Sequence, residues 1–225
     1  MTNPEFENEF DILFNNIMSN QAPGLDSYEK SVFLTQAKEQ LFISYYSGKN
    51  SNGESFEETE EFRRYLSTHV KTVVLEPLEE HSEIAITDNS EIFQLPDDLW
   101  FITYEFATLA EGTGNCASGK RVQVVPVTQD DVYRTMENPF KNAGLRRALR
   151  LDIENNRVEI ISKYTIAKYT VRYLERTKPI ILRDLDGDLS INGYSEETEC
   201  DLPEALHRPI LNLAVELASA AYKGK

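Results

Sequence analysis

Histidine and cysteine are scarce in this sequence, with three His and two Cys among 225 residues. Cys116 and Cys200 are too far apart to form a metal-ligand pattern, and so isolated a pair reads as two thiols rather than a disulfide framework. His69, His81 and His207 fall in three separate segments, none with a second His or Cys at metal-binding spacing. No G-x-S-x-G stretch marks an activated serine, so a nucleophilic triad has nothing to build on. Positive charge is also in deficit. Lys and Arg number 23 against 38 Asp and Glu, a formal net charge of −15. A general affinity for phosphate backbones needs those missing cations. Acidity of this degree reads as solubility and self-repulsion; the sharper alternative is a surface that lies beside DNA without adhering to it. No run approaches the ~20 apolar residues of a membrane span. The acidic start, "MTNPEFENEFD", lacks the basic-then-apolar layout of a cleaved export signal.

Other chemistry-bearing patterns are incomplete. "DLDGDLSINGYS" spaces Asp184, Asp186 and Asp188 like a calcium loop. Leu189 stands where that loop needs its glycine and Ser195 where it needs its bidentate glutamate, so the stretch reads as a solvated acidic turn. "EGTGNCASGK" ends in Gly119-Lys120 without the spacing of a phosphate-binding loop, and a strand rather than a helix follows it. Carboxylate pairs abound, as in "EETEEF" and "PLEEHSE", but chance adjacency is expected in a chain this acidic.

What is present is packing pattern. Phe6, Phe10, Leu13, Phe14 and Ile17 share one helical face. Pro23 and Gly24 break that helix. Asp26 and Glu29 form a capping box for a second helix with Phe33, Ala37, Leu41 and Tyr45 on one face and Gly48 as its C-terminal cap. A shorter third helix, started by Ser55 and Glu58, carries Phe62, Leu66 and Val70. From residue 72 the period changes to two. "KTVVLEPL", "SEIAIT", "EIFQL", "LWFITYEFATLA" and "KRVQVVPVT" read as strands, with Trp100, Ile102, Tyr104 and Phe106 on one core-facing side and Pro126 at an edge or strand end. "TQDDVYRTMENPF" reads as a short helix capped by Thr128 or Asp130 and ended before Pro139. Three more strands follow, with a hairpin turn at Asn155-Asn156. Tyr169, Val171 and Tyr173 face inward there, and Lys168, Thr170 and Arg172 outward. A last helix opens with Asp201 and Glu204 at capping-box spacing and buries Leu206, Ile210, Leu213, Leu217 and Ala221. Pro209 predicts a kink, or a helix start moved to residue 207.

Helices at both ends around a run of strands predict an α+β fold. In it the N-terminal helices (1–71) and the C-terminal helix (196–225) pack together and frame an inserted antiparallel β-sheet or sandwich (72–195), all within a single subunit. Loops at 49–55, 111–120 and 186–199 are candidates for ordering on assembly. Lys141, Arg146, Arg147 and Arg150 gather in "NPFKNAGLRRALR" and suggest a basic docking patch for an acidic partner surface. The alternative is ordinary strand-face solubility. Two other functional classes stay open on the residues alone: a carboxylate-dependent hydrolase, or a monomeric module binding carbohydrate or peptide on the β-rich part.

Several stretches carry a resemblance. "NNIMSNQAPGLDSYEKSVFLTQAKEQL", "LPDDLWFITYE", "VQVVPVTQDDVYRTMENPF" and "ECDLPEALHRPILNLAVELASAAY" resemble virion proteins of crAss-like tailed phages. The element order resembles the ring-forming head-to-tail connector proteins of short-tailed phages, of adaptor, gatekeeper or tail-tube type. The resemblance implies a structural, non-enzymatic subunit with no catalytic residues and no cofactor. It implies a homo-oligomeric ring, twelve copies in such proteins, below the portal. Neighbours would be the portal protein and other tail or ring proteins, and genomic DNA would pass through the channel without specific binding. The place would be the virion's head-to-tail junction or tail, assembled in the bacterial host cytoplasm, with no membrane contact.

Overall fold

A computed structural model describes residues 1–18, 24–49, 53, 55–78, 85, 90–110 and 119–223. His81, Cys116 and nearly all of the expected strand "SEIAIT" lie outside them. The elements run α1 (Asn3–Ile17), α2 (Ser27–Ser47), α3 (Glu60–Leu66), β1 (Val70–Leu75), β2 (Ser90–Gln94), β3 (Leu99–Leu109), β4 (Arg121–Pro126), α4 (Val132–Glu137), β5 (Arg147–Ile153), β6 (Arg157–Ile161), β7 (Ile166–Glu175) and α5 (His207–Lys223). The fold is α+β. Two compact units divide the chain: an end unit of residues 1–69 and 177–225, and a sheet unit of residues 70–176.

In the end unit the caps of α2 behave as read, whereas Ser55 and Glu58 bond to each other in a turn ahead of α3, whose N-cap is Thr59. Asp26 Oδ1 accepts the Glu29 amide at 2.7 Å while Glu29 Oε2 accepts the Asp26 amide at 3.1 Å, and Gly48 closes α2 at φ +73°. Phe6, Phe10 and Phe14 are buried along α1, whereas Ile17 is exposed. The face of α2 differs from expectation. Ala37 is buried, but Phe33, Leu41 and Tyr45 are only half-buried, and Ser31, Leu34, Thr35, Lys38 and Phe42 take the interior instead. The cause is an extended segment, 178–182, whose backbone uses that polar row. Ser31 Oγ accepts the Leu182 amide at 3.0 Å. Thr35 Oγ1 accepts the Ile180 amide at 3.0 Å and donates to the Ile180 carbonyl at 3.3 Å. Lys38 Nζ donates to the Lys178 carbonyl at 2.7 Å. Four helical residues rise about 6 Å and two extended residues about 6.6 Å, so the two periods match.

α5 begins at His207, after a single 3₁₀ turn over Glu204–Leu206. Pro209 therefore sits in the first turn, where a missing amide breaks no helical bond. The buried face carries Ile210, Leu211, Ala214, Val215 and Ala218, while Leu213 and Leu217 are half-buried and Ala221 is exposed. α5 packs on both α1 and α2, which widens and turns its buried arc. Asp201 does not cap this helix. It pairs with Lys38 and accepts the Lys178 amide at 3.1 Å.

The sheet unit is one seven-stranded sheet of order β1-β7-β3-β4-β5-β6-β2. It is mixed, not purely antiparallel, because β4 and β5 run parallel. Parallel neighbours need a crossover, and residues 127–146, including α4, supply it. Asp131, not Thr128 or Asp130, stands at the N-cap of α4. Register shifts between Ile102 and Tyr104 in β3 change which parity faces the core. Ala107 and Leu109 join the core with Tyr169, Val171 and Tyr173, while Tyr104, expected inside, is 55% exposed. Asn155 and Asn156 both adopt φ +56°, the two left-handed positions a tight hairpin requires.

Candidate docking surface

The crossover between β4 and β5 is anchored from below. Val132 of α4 packs with Leu149 and Ile161, joined by Val127, Met136 and Ala143. The chain then turns at Asn138. Its Oδ1 accepts the Phe140 amide at 2.9 Å, and its carbonyl accepts the amides of Lys141 at 3.1 Å and Asn142 at 2.9 Å. An asparagine ahead of proline is a turn former for this reason. The turn presents Phe140 at 92% exposure, with Tyr133 at 65% on the adjacent helix. An aromatic held outward on a bonded turn loses little freedom on binding. A concavity of about 610 Å³ beside it is lined by Val127, Thr135, Phe140, Lys141 and Arg147 among others.

The four cations read from the sequence divide here. Lys141 and Arg146 are exposed. Arg147 is half-buried, one guanidinium nitrogen donating to the Lys141 carbonyl at 3.4 Å. Arg150 faces inward. It lies 3.0 Å from Glu105 and 3.1 Å from Asp152, and its side chain is 11% exposed. The Tyr169 hydroxyl donates to the other oxygen of Glu105. Burial, and then the Glu105 charge, push the Tyr169 phenol well above its ordinary value. Phe140 and Tyr133 escaped the sequence reading. The signal available was the Asn-Pro turn, followed by an aromatic outside any helical or strand period.

The end unit holds an acidic counterpart. Residues 184–199 contain six carboxylates and no cation. Asp184 Oδ1 accepts the Glu197 amide at 2.8 Å, and the excursion is tied by Leu185 N to Ser195 O at 2.8 Å and by mutual Ile191–Tyr194 bonds of 2.9 and 3.0 Å. Leu189 and Tyr194 are exposed at its tip. Asp186 and Asp188 are exposed beside them.

Among the described residues, Cys200, His207 and His69 are held in structural contacts. Burial raises the Cys200 thiol above its ordinary value, away from the thiolate that nucleophilic work requires. His207 Nδ1 lies 2.7 Å from the Met1 amine and Nε2 lies 2.9 Å from the Leu202 carbonyl, an arrangement suited to a neutral ring donating from Nε2. His69 is buried beside the Phe42 ring, 3.7 Å from Asp201. Among the described residues no three His, Cys, Asp or Glu side chains converge for a metal, and no helix is long and apolar enough to cross a membrane.

A family model described as phage tail ring protein 3/4 matches residues 1–225. Ring protein 3 of Bacteroides phage crAss001 is 48% identical over 219 residues, covering 97% of this chain and 95% of that protein. Ring protein 4/5 of the same phage is 39% identical over 231 residues, covering 98% and 93%.

Proposed function

Since the chain belongs to the phage tail ring protein 3/4 family, we propose that this structural ring protein builds a twelve-copy ring below the portal, in the head-to-tail connector or tail, and continues the DNA channel there. The observation that carries this reading is the family match across the whole chain, with two relatives in one phage both named as ring proteins. The partners are further copies of itself, the portal protein and neighbouring tail or ring proteins, and the place is the virion, after assembly in the host cytoplasm. Its work is contact rather than catalysis.

The physical features support that assignment. Closed rings use heterologous interfaces, in which one patch meets a different patch on the next copy. The basic crossover with Lys141, Arg146 and Arg147 is one docking patch, and Arg150 fixes the strand beneath it through Glu105. A net charge of −15 disfavours adhesion to passing DNA.

Mixing the full chain with purified portal and neighbouring tail proteins, then imaging the product, tests the reading. Twelve-fold rings are expected, and they are expected not to retain duplex DNA at physiological salt. A different copy number would overturn the stoichiometry. Virions with a complete head–tail junction lacking this chain would overturn the role.

A further inference from the structure

We infer that the Phe140 turn of one copy docks on the acidic 184–199 excursion of the next copy; this rests on the ring reading and names the two faces that would meet. Three observations converge. First, the charges are opposite. Residues 139–149 hold Lys141, Arg146 and Arg147 and no acid, and residues 184–199 hold six acids and no cation. Second, both segments carry exposed apolar side chains that their own fold leaves uncovered: Phe140 and Leu145 in the first, with Tyr133 on the adjacent α4, and Leu189 and Tyr194 in the second. An aromatic anchor ringed by charge is the composition of an interface hot spot. Third, both faces are pre-shaped by backbone bonds, the first through Asn138 and the second through the 185–195 and 191–194 bridges.

A second copy fits this turn better than a phosphate backbone does. Phosphate recognition rests on cations and hydrogen-bond donors, and an apolar ring left 92% exposed at Phe140 adds nothing to it but gains from an apolar counterpart. The 184–199 excursion offers Leu189 and Tyr194 for it, between carboxylates that suit Lys141 and Arg146. The two faces differ, so each copy offers one to the neighbour before it and the other to the neighbour after it. That is the heterologous arrangement from which rings close.

Charge reversal in the full chain tests the pairing. One variant carries Lys141→Glu with Arg146→Glu; a second carries Asp186→Lys with Asp188→Lys. All four positions are exposed, and circular dichroism verifies that both variants fold. Sedimentation at low ionic strength should show the parent chain self-associating, and each variant alone about a hundredfold weaker. The two variants mixed in equal amounts should associate again, because alternating copies restore every contact of an even-numbered ring. Phe140→Ser should weaken association by about thirtyfold. Rings that persist through both reversals would overturn this contact and leave the ring reading standing. Failure of the mixture to recover, or a parent chain that stays monomeric, would also overturn it; imaging with portal then judges the ring reading separately. Duplex DNA retained by the parent and released by Lys141→Glu with Arg146→Glu would reassign the turn to phosphate binding.

Discussion

In the end unit, the extended segment 178–182 exchanges its backbone hydrogen bonds with side chains of a helix, donating to Ser31 and Thr35 and accepting from Lys38. In the sheet unit, extended segments take them from other backbones, in a ladder running from β1 across to β2. Both arrangements satisfy buried amides and carbonyls, as they must. They differ in how far they depend on particular residues. A ladder tolerates most side chains because its bonds belong to the backbone. The helix rail concentrates the same work in three residues, so single substitutions reach it. The sheet unit has a comparable concentration at one place, the buried trio of Glu105, Arg150 and Tyr169.

The largest effect is expected where the sheet unit departs from its own rule. Glu105→Ala leaves Arg150 buried with only the exposed Asp152 and leaves the Tyr169 hydroxyl without an acceptor. A loss of about 3 kcal/mol is expected in urea titration, with faster hydrogen exchange confined to the sheet unit. Next comes Lys38→Met. It removes a fully buried cation from Asp201 and from the Lys178 carbonyl. Because Asp201 keeps some solvent, the loss is set lower, at about 2 kcal/mol, and exchange should rise in the end unit.

The contrast itself is sharpened by a matched pair. Thr35→Val keeps shape but removes both bonds to Ile180, and should cost about 1–2 kcal/mol. Thr170→Val changes a side chain of similar burial in β7, whose backbone bonds are untouched, and should change the unfolding free energy by less than about 0.5 kcal/mol. Equal effects in the two would erase the distinction between rail and ladder.

The smallest effect is one of pH. Burial, and the Met1 ammonium beside it, hold His207 below its ordinary 6.5 although the Leu202 carbonyl pulls the other way. Below that value the unfolded chain takes up a proton more readily than the folded one, so stability is full above 6.5 and declines as the pH falls. Glu7, lowered by Arg183 and Ser27 against its burial, starts to lose its contribution only below its ordinary 4.5. Between those two values, urea titration is expected to show stability falling with the pH, and His207→Gln should flatten that decline.

The sequence revealed what adjacent residues decide. The Asp26–Glu29 capping box, the Asn155-Asn156 turn, the inward Tyr169, Val171 and Tyr173, and the helix start at 207 all depend on neighbours within a few positions. Contacts from afar were hidden. The apolar stripe Phe33, Ala37, Leu41 and Tyr45 looked like the interior of α2 because nothing near it announces the segment, 145 to 151 residues later, that binds Ser31 and Thr35. The Trp100–Phe106 alternation misled because the β3 register shifts have no local signature. The parallel β4–β5 pair depended on reading 127–146 as a crossover. At the candidate docking surface the basic cluster was visible as composition, but Arg150's inward turn is set by its tertiary partner Glu105.

The divided end unit has a consequence for synthesis. A growing polypeptide leaves the ribosome with α1 and α2 first, yet the backbone that satisfies Ser31, Thr35 and Lys38 is translated only after the whole sheet unit. The inserted region can therefore close while its host is still open. A product terminated before residue 178 lacks both the 178–182 segment and α5, and so cannot complete the end unit.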